Sequence, residues 1–160
     1  MYTVDNGMLH YESCGLPNVW LKGGFEIKET PYGKGVSVKD IEGLHNVLGL
    51  SIARDKPTLS KEEIRFLRIE LEMAQTTLAA LLGVGETTVR NWESGRVKMP
   101  KTAERLLRTI YIATVSKDED GCCKIKELVE HLSQLNRDAH WDRVELDLKD
   151  NESEWSAQVA

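Results

Sequence analysis

Cysteine, proline and aromatic residues are scarce in this chain, and it has no net positive charge. Cys14, Cys122 and Cys123 give no CxxC pair and no disulfide framework. The adjacent Cys122 and Cys123 could bridge each other only with strain. Such usage suits a reducing compartment, so a cytoplasmic protein is expected. No apolar run approaches the ~18 residues of a membrane-spanning helix. The opening MYTVDNGMLHYESCG has no basic stretch followed by an apolar one, so no secretion signal is expected. His131, His140 and a cysteine supply metal-ligand types without ligand spacing. His10, Cys14 and His45 supply a nucleophile and bases without a catalytic signature around them. No metal, no cofactor and no enzymatic activity is expected.

A net charge of −5 argues against general affinity for a polyanion. Its distribution argues otherwise. Residues 1–59 carry −1, residues 60–116 carry +2, and residues 117–160 carry −6. Between residues 90 and 108 stand Arg90, Arg96, Lys98, Lys101, Arg105 and Arg108, against Glu93 and Glu104 alone. Phosphate neutralisation needs a local patch, not a basic protein. Arg105 and Arg108 either extend this patch or form a solvated helix face.

The patch borders one stretch, Gln75 to Gly95, that reads as two short helices and a corner. Leu78, Ala79, Leu81 and Leu82 are the apolar positions of the first. Gly83-Val84-Gly85 is the corner, where glycine takes a positive φ without a Cβ clash. In the second helix, Glu86 to Glu93, Val89 and Trp92 turn one face inward. Glu86, Thr87, Arg90 and Asn91 are left on a polar, exposed face, the kind that enters a major groove and reads base edges.

The flanking segments are read by the same periodicities. Val19-Trp20-Leu21 and Phe25-Glu26-Ile27 alternate around Lys22-Gly23-Gly24, as in a hairpin. A turn at Pro31–Gly35, a third strand at Gly35–Val38 and a helix at Ile41–Ala53 capped by Asp40 complete a small β-β-β-α unit. Arg54–Pro57 reads as a linker. Ser60 and Glu63 form a capping box for the next helix. Another helix is expected from about Lys101 to Val115, with Leu106, Leu107 and Tyr111 inward. Ile125–Leu135 is amphipathic. Trp141–Leu148 suits a short edge strand, and disorder is expected from about Asn151. The divisions expected are residues 1–56, a β-rich unit for partner binding or dimerisation; 57–116, a DNA-binding domain; and 117–160, an amphipathic helix with an acidic tail.

Phe66-Leu67-Arg68, Ala74-Gln75-Thr76-Thr77-Leu78-Ala79, Leu82-Gly83-Val84, Thr88-Val89, Trp92-Glu93-Ser94-Gly95-Arg96 and Pro100 keep order and spacing across some fifty positions. In this they resemble the xenobiotic-response-element (Cro/C1-type) class of helix-turn-helix regulators. Together with CGLPNVWLKGGFEIKETPYGKGVSV, the domain resembles MqsA-type antitoxins, without the cysteine pairs that bind zinc there. The fold class implied is α+β and mainly α: a five-helix, lambda-repressor-like domain behind a small β-rich unit, with its third helix in the major groove. By position, the resemblance makes Glu86, Thr87, Thr88, Arg90 and Asn91 base readers. It makes Gln75, Arg96, Lys98 and Lys101 phosphate contacts. Ala74 and Gly85 depart from the class, which usually places a capping hydroxyl at each. The function implied is a repressor that binds a palindromic duplex as a homodimer. By the weaker resemblance, it is an antitoxin with a cognate toxin as partner. A stand-alone regulator and a protein-binding adaptor are the alternatives. Leu106–Tyr111 and Ile125–Leu135 are the surfaces expected to form the dimer.

Overall fold

The computed structural model describes residues 2–116, 131, 135, 139–148 and 154–160. These form five helices and seven strands, an α+β fold that is mainly α. They divide into two compact units, Met1–Leu48 with Trp141–Ala160, and Gly49–His140. No helix among the described residues is long and apolar enough to cross a membrane. The amphipathic segment Ile125–Leu135 lies, but for His131 and Leu135, outside the described residues.

The first unit is built on a five-stranded sheet. Its strands are β1 (Val4–Asp5), β2 (Met8–His10), β3 (Val19–Leu21), β6 (Val144–Leu148) and β7 (Trp155–Val159), in the order β1-β2-β3-β6-β7. A separate hairpin joins β4 (Phe25–Thr30) to β5 (Gly33–Val38). On one face of the sheet Leu9, Val19, Leu21, Val144 and Leu146 are buried. The other face carries the row His10, Trp20, Glu145 and Gln158, cross-strand neighbours in register. Here His10 stacks on Trp20, and the Arg143 guanidinium lies 4.4 Å over the Trp20 ring. His10 also hydrogen-bonds the Pro17 carbonyl at 2.6 Å, and His45 bonds the Tyr11 hydroxyl at 2.9 Å.

Three of the local expectations do not hold. Residues 19–27 do not form a hairpin around Gly23-Gly24. Instead β3 pairs in parallel with β6, and Lys22 N–H continues that ladder to the Leu146 carbonyl at 2.8 Å. Gly24 has φ +75° and lies against the Trp155 ring, leaving no room for a Cβ. The strand β4 hairpins with β5 around Pro31-Tyr32, so the expected turn joins the two strands read on either side of it. Residues 144–148 are internal to the sheet rather than an edge, because β7 covers them. Residues 154–160 are ordered: β7 pairs from Trp155 to Val159, and Ala160 exchanges hydrogen bonds with Arg143.

The helix α1 spans Ile41–Asp55, and the division between the units falls inside it. Asp40 caps it, its carboxylate accepting from Gly43 N–H at 3.1 Å. Leu44 and Leu48 are buried as the periodicity predicts, whereas Ile41 is half exposed. Arg54–Pro57 is not a free linker. The helix runs through Arg54 and Asp55, Lys56 pairs with Glu63 at 2.6 Å, and the Pro57 carbonyl accepts from Arg108.

The second unit adds α2 (Lys61–Glu70), α3 (Gln75–Leu82), α4 (Glu86–Ser94) and α5 (Lys101–Val115). Its core includes Ile52, Ile64, Phe66, Leu67, Leu78, Val89, Trp92, Leu107 and Tyr111. The capping box at α2 forms as read: Ser60 Oγ accepts from Glu63 N–H, and the Glu63 carboxylate accepts from Ser60 N–H.

Gly49 sits in this core against the Tyr111 ring and hydroxyl, where any added Cβ would overlap them. Alanine in place of an interior helical glycine ordinarily stabilises by roughly 0.5–1 kcal/mol. Here the sign should reverse. Gly49→Ala is expected to destabilise by about 1–3 kcal/mol through overpacking, read as a lower urea midpoint at unchanged slope. Burial, with Glu70 adding to it, raises the Tyr111 phenol above its ordinary value of 10.0. The unfolded chain then releases this proton first. The contribution is intact below pH 10 and declines as pH rises beyond it.

Candidate nucleic-acid interface

Three backbone features shape the stretch from Gln75 to Gly95. Gly83 closes α3 in the left-handed region at φ 69°, and Val84 N–H returns to the Ala79 carbonyl at 2.9 Å. Gly95 closes α4 the same way at φ 78°. Ala74 and Gly85 sit extended at the two N-cap positions and give no side-chain bond. No side-chain cap therefore serves the first turn of either helix, and in α4 Thr88 N–H turns back to the Gly85 carbonyl at 3.0 Å.

In α4, Val89 and Trp92 are buried. Glu86, Thr87 and Arg90 are exposed, and Thr88 and Asn91 are half-buried beside them. The structure brings Glu86, Thr87, Arg90 and Asn91 onto one polar side of the helix and places Thr88 about 200° round from Glu86, toward the buried Trp92. It also joins two of them: Arg90 Nη2 donates to Glu86 Oε1 at 2.7 Å, one helical turn apart. An exposed pair of this kind adds only ~0.3–0.5 kcal/mol to helix stability. It nevertheless offsets the positive charge of Arg90 on this face.

A buried network holds α4 against its neighbours. Glu93 accepts from Arg68 Nε at 2.5 Å and Nη2 at 3.0 Å, and from Gln75 Nε2 at 2.9 Å. Arg68 Nη1 also donates to the Met73 carbonyl at 2.8 Å. Arg68 of α2 and Gln75 at the start of α3 meet at the carboxylate from the end of α4, and Arg68 ties in the turn after α2. The Glu93 side chain is 5% exposed and that of Arg68 13%. Gln75 is accordingly a brace in this structure. An amide nitrogen carries two N–H groups, so bonding Glu93 leaves one able to meet a phosphate.

Beyond α4, Arg96, Lys98 and Lys101 are exposed, placed where a backbone-contacting strip was expected. Arg108 is not part of that strip. It is 1% exposed and turned inward, with Nη2 2.6 Å from Glu104 Oε1. Its guanidinium also donates to the carbonyls of Ile52, Ala53 and Pro57. The readable signal was the Glu104–Arg108 spacing of four on a helix, which pairs opposite charges. Two apolar expectations also change. Leu81 is half exposed, because Leu78 and Ala79 already fill the inward side of the short α3. Leu107 and Tyr111 are fully buried within their own unit, and Leu106 points out, so Leu106–Tyr111 is not a continuous dimer surface. Among the described residues no group of three or more His, Cys, Asp or Glu could hold a metal ion.

Residues 64–110 match the helix-turn-helix family model, from within α2 to within α5. The matched part encloses the whole Arg68–Glu93 network and every residue assigned to base or phosphate. No curated protein and no solved structure matches the chain significantly.

Proposed function

We propose that this chain, a DNA-binding transcriptional regulator by its xenobiotic-response-element-class helix-turn-helix, is a repressor that reads a palindromic operator as a homodimer. The observation that carries this reading is the polar side of α4, exposed and braced from behind by Arg68 and Glu93. Thr87 and Asn91 are the principal base readers, because Asn offers the donor–acceptor pair of an adenine edge. Arg90 addresses guanine, with Glu86 beside it, and Thr88 flanks them. Gln75, Arg96, Lys98 and Lys101 meet phosphates. Two copies place two such helices in successive major grooves about 34 Å apart. The protein works in the cytoplasm. By its resemblance to MqsA-type antitoxins, it represses its own operon, and its N-terminal unit binds a cognate toxin.

The test uses a duplex selected from a random library, set against scrambled duplex, in fluorescence anisotropy. Asn91→Ala and Thr87→Ala should each remove about 1–3 kcal/mol of discrimination and leave binding to scrambled duplex intact. Lys98→Ala should weaken binding to both duplexes and reduce the salt slope by about 1. Equal losses on both duplexes for Asn91→Ala would defeat its assignment as a base reader. Absence of any duplex binding by the parent chain at low salt would defeat the whole reading. Co-purification with the product of the adjacent gene tests the toxin partner.

A further inference from the structure

The five-stranded sheet ends in two different edges. At one end β1 has two residues, one of them Asp5. Brevity and charge are the usual protections of an edge strand. At the other end β7 has neither: Trp155-Ser156-Ala157-Gln158-Val159 is five residues with no charge and no proline.

The ladder shows which groups of β7 are unused. Arg143 and Ala160 exchange both backbone hydrogen bonds, at 3.3 and 3.1 Å. Antiparallel pairs alternate between bonded and non-bonded. By the register, Gln158 with Glu145 and Ser156 with Asp147 are then the other bonded pairs. The N–H and C=O of Trp155, Ala157 and Val159 point away from β6, and β7 has no further neighbour among the described residues.

We propose that β7 is the edge through which two copies of this chain join, antiparallel, about a two-fold axis at Ala157. In that register Ala157 faces its own copy and exchanges both bonds with it. Trp155 faces Val159 of the second copy, and Ser156 faces Gln158. The outward groups of both strands are satisfied by about six backbone hydrogen bonds. No charge opposes a like charge, which the same operation on β1 could produce at Asp5. Val159, 44% exposed in one copy, gains an apolar neighbour. A second copy is the fitting occupant because the strand is complementary to itself under two-fold rotation, the symmetry of an isologous interface. The inference deepens the homodimer reading above and rests on it for the demand for two-fold symmetry.

Two variants of the full chain test it, by sedimentation equilibrium and far-UV circular dichroism. Ala157→Pro removes an N–H that the β6 ladder does not use, so the fold tolerates it as edge strands tolerate proline. The double variant Ser156→Lys with Gln158→Lys is favourable within one copy, where the substituted positions face Asp147 and Glu145. Across the axis it sets like charges opposite each other. The parent chain should sediment as a dimer, and both variants as monomers with unchanged secondary structure and a dimer dissociation constant raised by about two orders of magnitude. A monomeric parent, or dimers in both variants, overturns the proposal. Anisotropy with duplex DNA separates the two readings. Variants that become monomeric from a parent that binds no duplex would leave the edge assigned and the regulator reading refuted. Duplex binding by variants that remain dimers would do the reverse.

Discussion

Replacing Glu93 by alanine should lower the unfolding free energy by about 3–5 kcal/mol and abolish discrimination between operator and scrambled duplex. The carboxylate is nearly buried and accepts from Arg68 twice and from Gln75 once. Without it the Arg68 guanidinium keeps its burial and its bond to Met73 but loses its counter-charge. The cost is that of an uncompensated charge, not of one hydrogen bond. A matched apolar replacement of both partners, Arg68→Met with Glu93→Leu, should recover most of the loss. A double-mutant cycle in urea then gives a coupling energy well above the 0.2–1 kcal/mol of exposed pairs. A loss under 1 kcal/mol for Glu93→Ala would show that the pair behaves as a surface pair. The double replacement should still read DNA less well than the parent, because it also removes the acceptor that orients Gln75.

Arg108→Ala should be as damaging to stability and have a different effect on DNA. The guanidinium serves Glu104 and three main-chain carbonyls at the end of α1 and just beyond it. Its loss removes a buried counter-charge from Glu104 and the shared donor from the last turn of α1, so about 3–5 kcal/mol is again expected. Arg108→Lys should rescue little, since an ammonium cannot reproduce the guanidinium's fork of donors. On a folded fraction prepared at low temperature, the slope of DNA affinity against salt should be that of the parent. Lys101→Ala should do the opposite, reducing the slope by about 1 without moving the urea midpoint. A shallower salt slope in Arg108→Ala would return this residue to the phosphate-contacting strip.

These two arginines mark what could be read in advance. The helix-turn-helix was legible because its determinants are local. The Ser60–Glu63 box, the left-handed Gly83 and Gly95, and the spacing of Val89 and Trp92 all act within a turn or two. The polar side of α4 followed from that spacing. Arg108 was misplaced because its partners at Ile52, Ala53 and Pro57 lie some fifty residues away. Counting it as surface charge was the default for a basic residue on a helix. The sheet failed for the same reason on a larger scale. Val19–Leu21 looks like half of a hairpin until Val144–Leu148 claims it. Nothing in Lys22-Gly23-Gly24 announces that Trp155 will press against Gly24.

That parallel pairing also has a consequence in time. Leu21 and its partner Leu146 are separated by the whole helical unit. At ribosomal speeds the second strand emerges on the order of ten seconds after the first. The determinants of α2 to α5 are local and are complete well before then, so these helices can pack while β1 to β3 still wait. The nascent chain therefore acquires its helix-turn-helix half first. During that interval the apolar side of β3 is uncovered, and a chaperone or another unfinished chain has its opportunity there. Ribosome stalling between Ser116 and Trp141 should lengthen that exposure, giving aggregation-prone chains whose helix-turn-helix is already native.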